Sequence, residues 1–168
     1  DLGGELVYNR PDGDRQLGRA RFMIGLLGVA LGLLIFAWVH EWLGPVPAAV
    51  ILVCYLFAPN LSAHAGLVTT DLGVTLFFFA TIYFLWRLHR HFTAWNLTGL
   101  GVAFALALTS KFSAVILGPI AVVLLVLGAV EGREITWRRA ALAVAVLAGA
   151  GVAGIWAVYQ FQYEPAPG

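Results

Sequence analysis

The sequence predicts an all-α protein, a polytopic transmembrane helix bundle with about six spans. Two observations predict this fold class. Of the 168 residues, 61% are hydrophobic and only 11% are charged, which is more apolar surface than a soluble domain of this size can bury. The apolar residues also gather into long runs separated by short polar stretches, as they do in transmembrane helices. The net charge of +1 argues against a nucleic-acid partner, so membrane lipids are the expected surroundings.

The first segment, residues 1–21, is polar, and we predict an irregular juxtamembrane segment on the outer side, the end of a first outer loop. Pro11–Gly13 indicates a turn. Arg15 and Arg19 are four residues apart and would share a helix face, and Arg21 follows. Two interpretations stay open: the arginines anchor the chain to lipid phosphates, or Arg19 and Arg21 bind the phosphate of a lipid-linked substrate.

The transmembrane helical module is predicted over residues 22–160. Its first span, residues 22–42, would be about 31 Å long as a helix, enough to cross the hydrocarbon core. Gly25, Gly28 and Gly32 would lie on one face of this helix and allow close helix packing. The other predicted spans are residues 46–58, 72–86, 97–108, 114–130 and 140–159, and residues 161–168 begin the next outer loop.

The apolar run at residues 97–108 is too short to span alone, since twelve helical residues cover about 18 Å. One interpretation is a single helix over residues 97–130, but about 51 Å would require extreme tilt. The other is a hairpin that turns near Ser110–Ser113, with its short arm extended toward Trp95. We favour the hairpin.

The hairpin sets the predicted orientation. It places the loops at residues 87–96 and 131–139 on one side, which the positive-inside rule makes cytoplasmic because both loops are basic. Asp71, Lys111 and both termini then lie outside. The four arginines of residues 1–21 also lie outside, so the two sides of the membrane carry equal numbers of lysines and arginines. This works against the positive-inside assignment, and we accept it because these arginines could bind phosphate groups.

With histidine counted as neutral, Asp71 is the only charged residue between Glu41 and Arg87, and it ends a polar stretch, residues 58–71. A carboxylate is costly to keep beside a bilayer, so such a residue is a functional-site candidate. We interpret the stretch as facing a water-filled cavity where Asp71 binds or activates a substrate. Asp71 can also cap the helix that follows, and the two roles are compatible.

With histidine counted as neutral, Lys111 is the only charged residue between Arg90 and Glu131. It either extends to lipid headgroups or holds a phosphate group. His64 can exchange a proton near neutral pH, or it is plain polar surface, and Asn60 beside it can donate and accept hydrogen bonds. The sequence has no Cys/His metal cluster and no Gly-rich phosphate loop, so no cofactor is predicted, and the role of a metal ion is left open.

Two stretches carry a family resemblance. Pro-Asn-Leu-Ser-Ala-His-Ala-Gly-Leu-Val-Thr-Thr-Asp at residues 59–71 and Thr-Ser-Lys-Phe-Ser at residues 109–113 flank an aromatic-rich span. In this order they resemble bacterial family 39 glycosyltransferases, relatives of the protein O-mannosyltransferases and the lipid A aminoarabinose transferases. These enzymes have the multi-spanning GT-C fold. The resemblance extends over nearly the whole chain.

The resemblance implies that a sugar moves from a polyprenyl-phosphate carrier to an acceptor protein or lipid. The reaction would take place on the periplasmic or outer face of the bacterial inner membrane. Asp71 matches an acidic position in the second outer loop of the relatives and is the predicted catalytic residue. Lys111 matches a basic residue at the outer end of a later span. The relatives carry their principal acid in the first outer loop, so we expect this chain to be an internal fragment that is inactive alone.

Two other functions compete with the transferase. A transporter or lipid flippase would use Asp71 and Lys111 as a coupling pair, but it should carry charges near mid-span and an internal repeat. Both residues lie at segment boundaries instead, and no repeat is evident in the sequence. A purely structural bundle would tolerate the loss of both side chains. The boundary positions favour the transferase over the transporter.

Overall fold

The computed structural model describes residues 13–58, 71–132 and 134–158, with side chains from Gly18 onward in the first helix. All the regular secondary structure in these ranges is helical, which confirms the all-α prediction. The elements are α1 (Gly13–Leu43), α2 (Pro45–Leu56), α3 (Asp71–Arg90), α4 (Ala94–Ser110), the 3-10 helix η1 (Phe112–Ile116), α5 (Leu117–Glu131) and α6 (Trp137–Val158). The chain forms two compact units, unit one (Asp1–Leu72) and unit two (Gly73–Gly168).

Every predicted hydrophobic segment coincides with a helix. Four helical stretches of the described chain are long and apolar enough to cross a membrane, namely Gly18–Leu43, Asp71–Arg90, Phe112–Glu131 and Trp137–Val158. The helices α2 and α4 are apolar but shorter, with 12 and 17 residues. The protein is therefore a polytopic membrane helix bundle, as predicted.

The first helix begins earlier than the sequence suggested. We expected residues 1–21 to be irregular, but α1 begins at Gly13, so residues 13–21 are helical. This part of the sequence is rich in arginine, glutamine, leucine and alanine, which are good helix formers. Asp14 near the helix N-terminus also suits the helix dipole. Residues 13–21 are therefore a polar extension of the transmembrane helix.

In unit one, α1 and α2 form an antiparallel hairpin through Gly44, whose φ of 91° lies in the region that favours glycine. The Tyr55 hydroxyl donates a 2.7 Å hydrogen bond to the Gly28 carbonyl oxygen. A Cβ atom at Gly32 would lie only 2.9 Å from Cε1 of Tyr55, so the helices approach closely there. The predicted packing role is confirmed for Gly28 and Gly32. For Gly25 no packing contact is shown, since no atom of the described residues lies within 4 Å of a Cβ there.

In unit two, α4 and α6 lie parallel and in close contact through small residues. A Cβ atom at Gly154 would lie 3.0 Å from the Ala105 Cβ, and one at Gly101 would lie 3.0 Å from Val146. Without a hydrophobic driving force between helices in lipid, such close packing stabilises their association. The core around this pair is made of fully buried leucines: Leu85, Leu88, Leu100, Leu117 and Leu125.

The predicted hairpin is confirmed. The helix α4 ends at Ser110 and the backbone is extended at Lys111, with φ −157° and ψ 131°. The Ser110 and Thr109 hydroxyls both donate hydrogen bonds to the Leu106 carbonyl oxygen, and such local bonds compete with helix continuation. The helix α5 then runs antiparallel to α4, since its start packs against Phe104, in the middle of α4.

The two basic loops lie at the same end of unit two, as the hairpin predicted. At the C-terminus of α3, His89 Nε2 lies 3.0 Å from the Leu124 carbonyl oxygen of α5. At the same end, the guanidinium of Arg139, in the first turn of α6, lies over the ring of Phe92, in the α3–α4 loop, 5.0 Å from its centroid. We call this end, which carries the loops that follow α3 and α5, the basic end. The start of η1 lies at the opposite end of the unit.

Candidate functional site

The break between α4 and η1 forms the opposite end of unit two, which we call the Lys111 end. Lys111 is exposed, and its backbone N–H donates a 3.2 Å hydrogen bond to the Ala107 carbonyl oxygen, closing the last turn of α4. The same residue precedes η1, so its side chain leaves the chain where two helices meet. The Lys111 carbonyl oxygen accepts a 3.0 Å hydrogen bond from the Ala114 N–H, so both backbone polar groups of the residue are satisfied. What the break presents is the lysine ammonium group, a compact point charge.

An open cavity of about 470 Å³ lies between the first turns of α3 and η1. Its walls are mostly apolar, with Val74, Phe78 and Ile116 among them. Two hydroxyl groups, those of Thr75 and Ser113, are the polar side-chain groups of its lining. Ser113 follows Lys111 by two residues, so the cavity opens beside the ammonium group's attachment point. An apolar cavity with a few polar groups at its edge is typical of a site for an amphipathic small molecule.

Asp71 is exposed and is the first residue of α3, one helical turn before Thr75. An acid in the first turn interacts favourably with the helix dipole, which agrees with the electrostatic part of the predicted capping role. Its carboxylate is also exposed, which a substrate-binding role requires. The structure therefore keeps both interpretations of Asp71 compatible.

The other residues predicted for the site do not lie in unit two. Arg19 and Arg21 are exposed on α1 in unit one, and Arg19 lines an open cavity of about 570 Å³ with Phe22 and Met23. Asn60 and His64 lie outside the described residues. In the part of the chain that is described, no three His, Cys, Asp or Glu side chains lie close enough together to hold a metal ion.

Two features of the structure were not predicted from the sequence. Thr75 lines the cavity, and its spacing of four residues from Asp71 on one helix face was the available signal. Asn96 is buried, and its side-chain amide donates a 2.8 Å hydrogen bond to the His91 carbonyl oxygen. Thr93 Oγ1 accepts a hydrogen bond from the Asn96 N–H, a helix cap that a threonine three residues earlier signals.

These features define an integral membrane protein of bundled helices with a polar break beside an apolar cavity at one end. A comparison with protein families gives the more specific class. The chain belongs to the dolichyl-phosphate-mannose-protein mannosyltransferase family, whose model matches residues 13–158. It is thus a membrane mannosyltransferase-like glycosyltransferase, and the resemblance seen in the sequence is confirmed. Comparisons with curated proteins and with solved structures gave no match.

Proposed function

We propose that this protein transfers a sugar from a polyprenyl-phosphate carrier to an acceptor protein or lipid on the extracytoplasmic side of a bacterial inner membrane. The observation that carries the proposal is the cavity beside Lys111. It offers apolar walls to the first isoprene units of a carrier. Lys111, two residues before the lining residue Ser113, would hold the phosphate that joins them to the sugar. Neither a soluble donor nor a transported ion requires that combination.

In the proposed reaction, the bond between the sugar anomeric carbon and the carrier phosphate oxygen breaks, and the carrier leaves as polyprenyl phosphate. The acceptor oxygen bonds to the anomeric carbon, and its proton passes to a carboxylate. Lys111 stabilises the negative charge that develops on the leaving phosphate. The carboxylate that takes the proton is the one that the relatives carry in the first outer loop. Asp71 orients the acceptor and assists that carboxylate, in keeping with its exposed position at the start of α3.

The other predicted residues have supporting roles in this proposal. Arg19 and Arg21, both exposed on α1, bind phosphate oxygens of the carrier. Asn60 and His64 bind sugar or acceptor hydroxyls. Residues 1–21 and 161–168 belong to the outer side, and residues 22–160 form the membrane module.

The donor class is tested by offering the intact protein, reconstituted in vesicles, a radiolabelled sugar on polyprenyl phosphate or on a nucleotide. We expect product only from the lipid-linked donor, because the cavity provides apolar walls and no Gly-rich nucleotide loop is present in the sequence. A short-chain water-soluble sugar phosphate is the matched control and should react poorly. Equal transfer from the nucleotide sugar would contradict the proposal. Movement of the labelled lipid across the vesicle membrane without transfer would support a flippase instead.

The orientation is tested by cysteine labelling in intact cells, after the exposed Cys54 has been replaced by serine. Ser113→Cys at the Lys111 end should react with an impermeant maleimide added from outside. Arg138→Cys at the basic end, which is equally exposed, should react only after the membrane is permeabilised. The reverse pattern would overturn the proposed orientation.

A further inference from the structure

The cavity at the Lys111 end is lined by apolar side chains and two hydroxyls, and the hydroxyls lie at its rim. Thr75 of α3 and Ser113 of η1 are both exposed. On α3, Phe78 follows Thr75 by three residues, about 4.5 Å further from the Lys111 end, and is half-buried. On η1, the residue after Ser113 is Ala114, which is only 2% exposed. Both walls therefore change from polar at the rim to apolar further in.

This polarity suits the end of a lipid that carries a phosphate. A phosphate at the rim would meet the hydroxyls, and the first part of its hydrocarbon chain would meet Phe78 and Ala114. The cavity, at about 470 Å³, is within the size range of small-molecule sites. Because α3 and η1 both run from the Lys111 end toward the basic end, the chain would point toward the basic end. The arrangement thus sets a direction for a bound lipid.

The Ser113 hydroxyl makes no hydrogen bond to another residue in the part of the chain that the structure describes. Two hydroxyls just before it are used differently, since those of Thr109 and Ser110 both donate to the Leu106 carbonyl oxygen. A phosphodiester accepts hydrogen bonds and has none to donate, so it requires a donor from the protein. Ser113 can donate to such a ligand without giving up a bond within the described chain.

Lys111 favours a phosphate over a neutral sugar hydroxyl as the partner of Ser113. It precedes Ser113 by two residues, and its ammonium group has three N–H donors, so it can bind a phosphate oxygen in addition to a partner in the protein. Hydrogen bonds to an ionised group are about twice as strong as those between neutral groups. A hydroxyl close to a lysine therefore binds an anionic group in preference to a neutral one.

We propose that Ser113 is a phosphate-binding residue of this cavity and donates a hydrogen bond to a non-bridging oxygen of the polyprenyl-phosphate carrier. The carrier lies with its phosphate at the rim, near Lys111, and with its first isoprene unit against Phe78 and Ala114. This inference rests on the proposed function and adds to it a binding residue and a direction for the carrier. Thr75, on the facing wall, completes the polar rim.

Binding is measured without turnover, with radiolabelled farnesyl phosphate and the intact protein in detergent, and with farnesol as the uncharged probe. Ser113→Ala should weaken the binding of farnesyl phosphate about tenfold, the effect of losing one hydrogen bond to a charged group. It should leave the binding of farnesol unchanged, because farnesol has the chain but no phosphate. Equal affinities of the variant and the original protein for farnesyl phosphate would overturn the proposal, and so would an equal loss for both probes.

Matched variants separate a phosphate contact from a change in the fold. Ser113→Thr keeps the hydroxyl and should restore most of the affinity, since the exposed position leaves room for the methyl group. Ser110→Ala removes a hydroxyl that is bonded to the Leu106 carbonyl oxygen, and it should leave the affinity within about twofold. Equal losses in Ser113→Ala and Ser110→Ala would overturn the proposal. So would displacement of farnesyl phosphate by an equal concentration of inorganic phosphate, because the chain would then contribute nothing.

Initial rates of sugar transfer distinguish a failure of this inference from a failure of the proposed function. Ser113→Ala should raise the KM for the lipid-linked donor about tenfold and leave kcat nearly unchanged, because the donor phosphate carries its charge before the reaction begins. Transfer with a KM that Ser113→Ala leaves unchanged would overturn the role of Ser113 and keep the proposed function. Ser113-dependent binding of farnesyl phosphate without transfer from a lipid-linked donor would overturn the proposed function and keep the phosphate site.

Discussion

Turnover of the intact protein is expected to fall about a hundredfold when Asp71 is replaced by asparagine, and by a similar factor when Lys111 is replaced by alanine. Removing one carboxylate that assists proton transfer, or one charge that stabilises a leaving group, typically has an effect of this size. Lys111→Arg should recover part of the loss, because it keeps a positive charge for the carrier phosphate but changes its geometry. The measurement is initial-rate sugar transfer from a polyprenyl-phosphate donor.

Matched controls come from the basic end. Glu134→Gln removes an exposed carboxylate and Arg138→Ala removes an exposed positive charge, and both should leave turnover within about twofold of the original, since surface substitutions away from a site have small effects. Folding is monitored for every variant by its elution as a single species in detergent. Unchanged turnover in both Asp71→Asn and Lys111→Ala would remove these residues from the site and favour a purely structural role for them.

Replacing Gly32 with alanine is expected to destabilise the hairpin of α1 and α2 by about 1–3 kcal/mol, the usual cost of overpacking a close contact. The new Cβ would lie 2.9 Å from Cε1 and 3.2 Å from Cδ1 of Tyr55. The Tyr55 ring has little room to move, because its hydroxyl donates a hydrogen bond to the carbonyl oxygen of Gly28, which is on α1 like Gly32. The measurement is the unfolding equilibrium in a denaturing detergent.

Gly25→Ala provides the control on the same helix. Within the described part of the chain a Cβ at Gly25 meets no atom within 4 Å, and alanine is the better helix former by about 1 kcal/mol. This variant should be as stable as the original protein or slightly more stable. Equal destabilisation by the two substitutions would mean that helix packing at Gly32 is not what holds the hairpin together.

Hydrophobic patterning was sufficient to predict the helices and their alternation. The argument that residues 97–108 are too short to span alone led to a break near Ser110–Ser113, and the chain breaks at Lys111. The start of α1 was predicted nine residues late, because polar residues that form good helices look the same as an irregular segment when only hydropathy is considered.

Contacts between distant residues could not be predicted from the pattern. His89 was assigned to a basic loop, yet its two ring nitrogens lie 2.8 Å and 3.0 Å from the carbonyl oxygens of Leu85 and Leu124. Leu124 is 35 residues away from His89 along the chain, and nothing in the local sequence identifies it as a partner. For the site, isolated charges in apolar surroundings indicated Lys111 and Asp71, but the cavity beside Lys111 depends on how η1 packs against α3.

The short length of α4 has a consequence for the surrounding lipid. Its 17 residues cover about 26 Å, less than the roughly 30 Å hydrocarbon thickness of a typical bilayer. Its exposed side chains include the apolar Val102 and Leu106, 59% and 41% exposed, which suit contact with lipid chains. Hydrophobic mismatch of this sign is relieved when the bilayer becomes locally thinner. We therefore expect the bilayer to be thinner beside Lys111, which would shorten the distance from the headgroup layer to the proposed phosphate site.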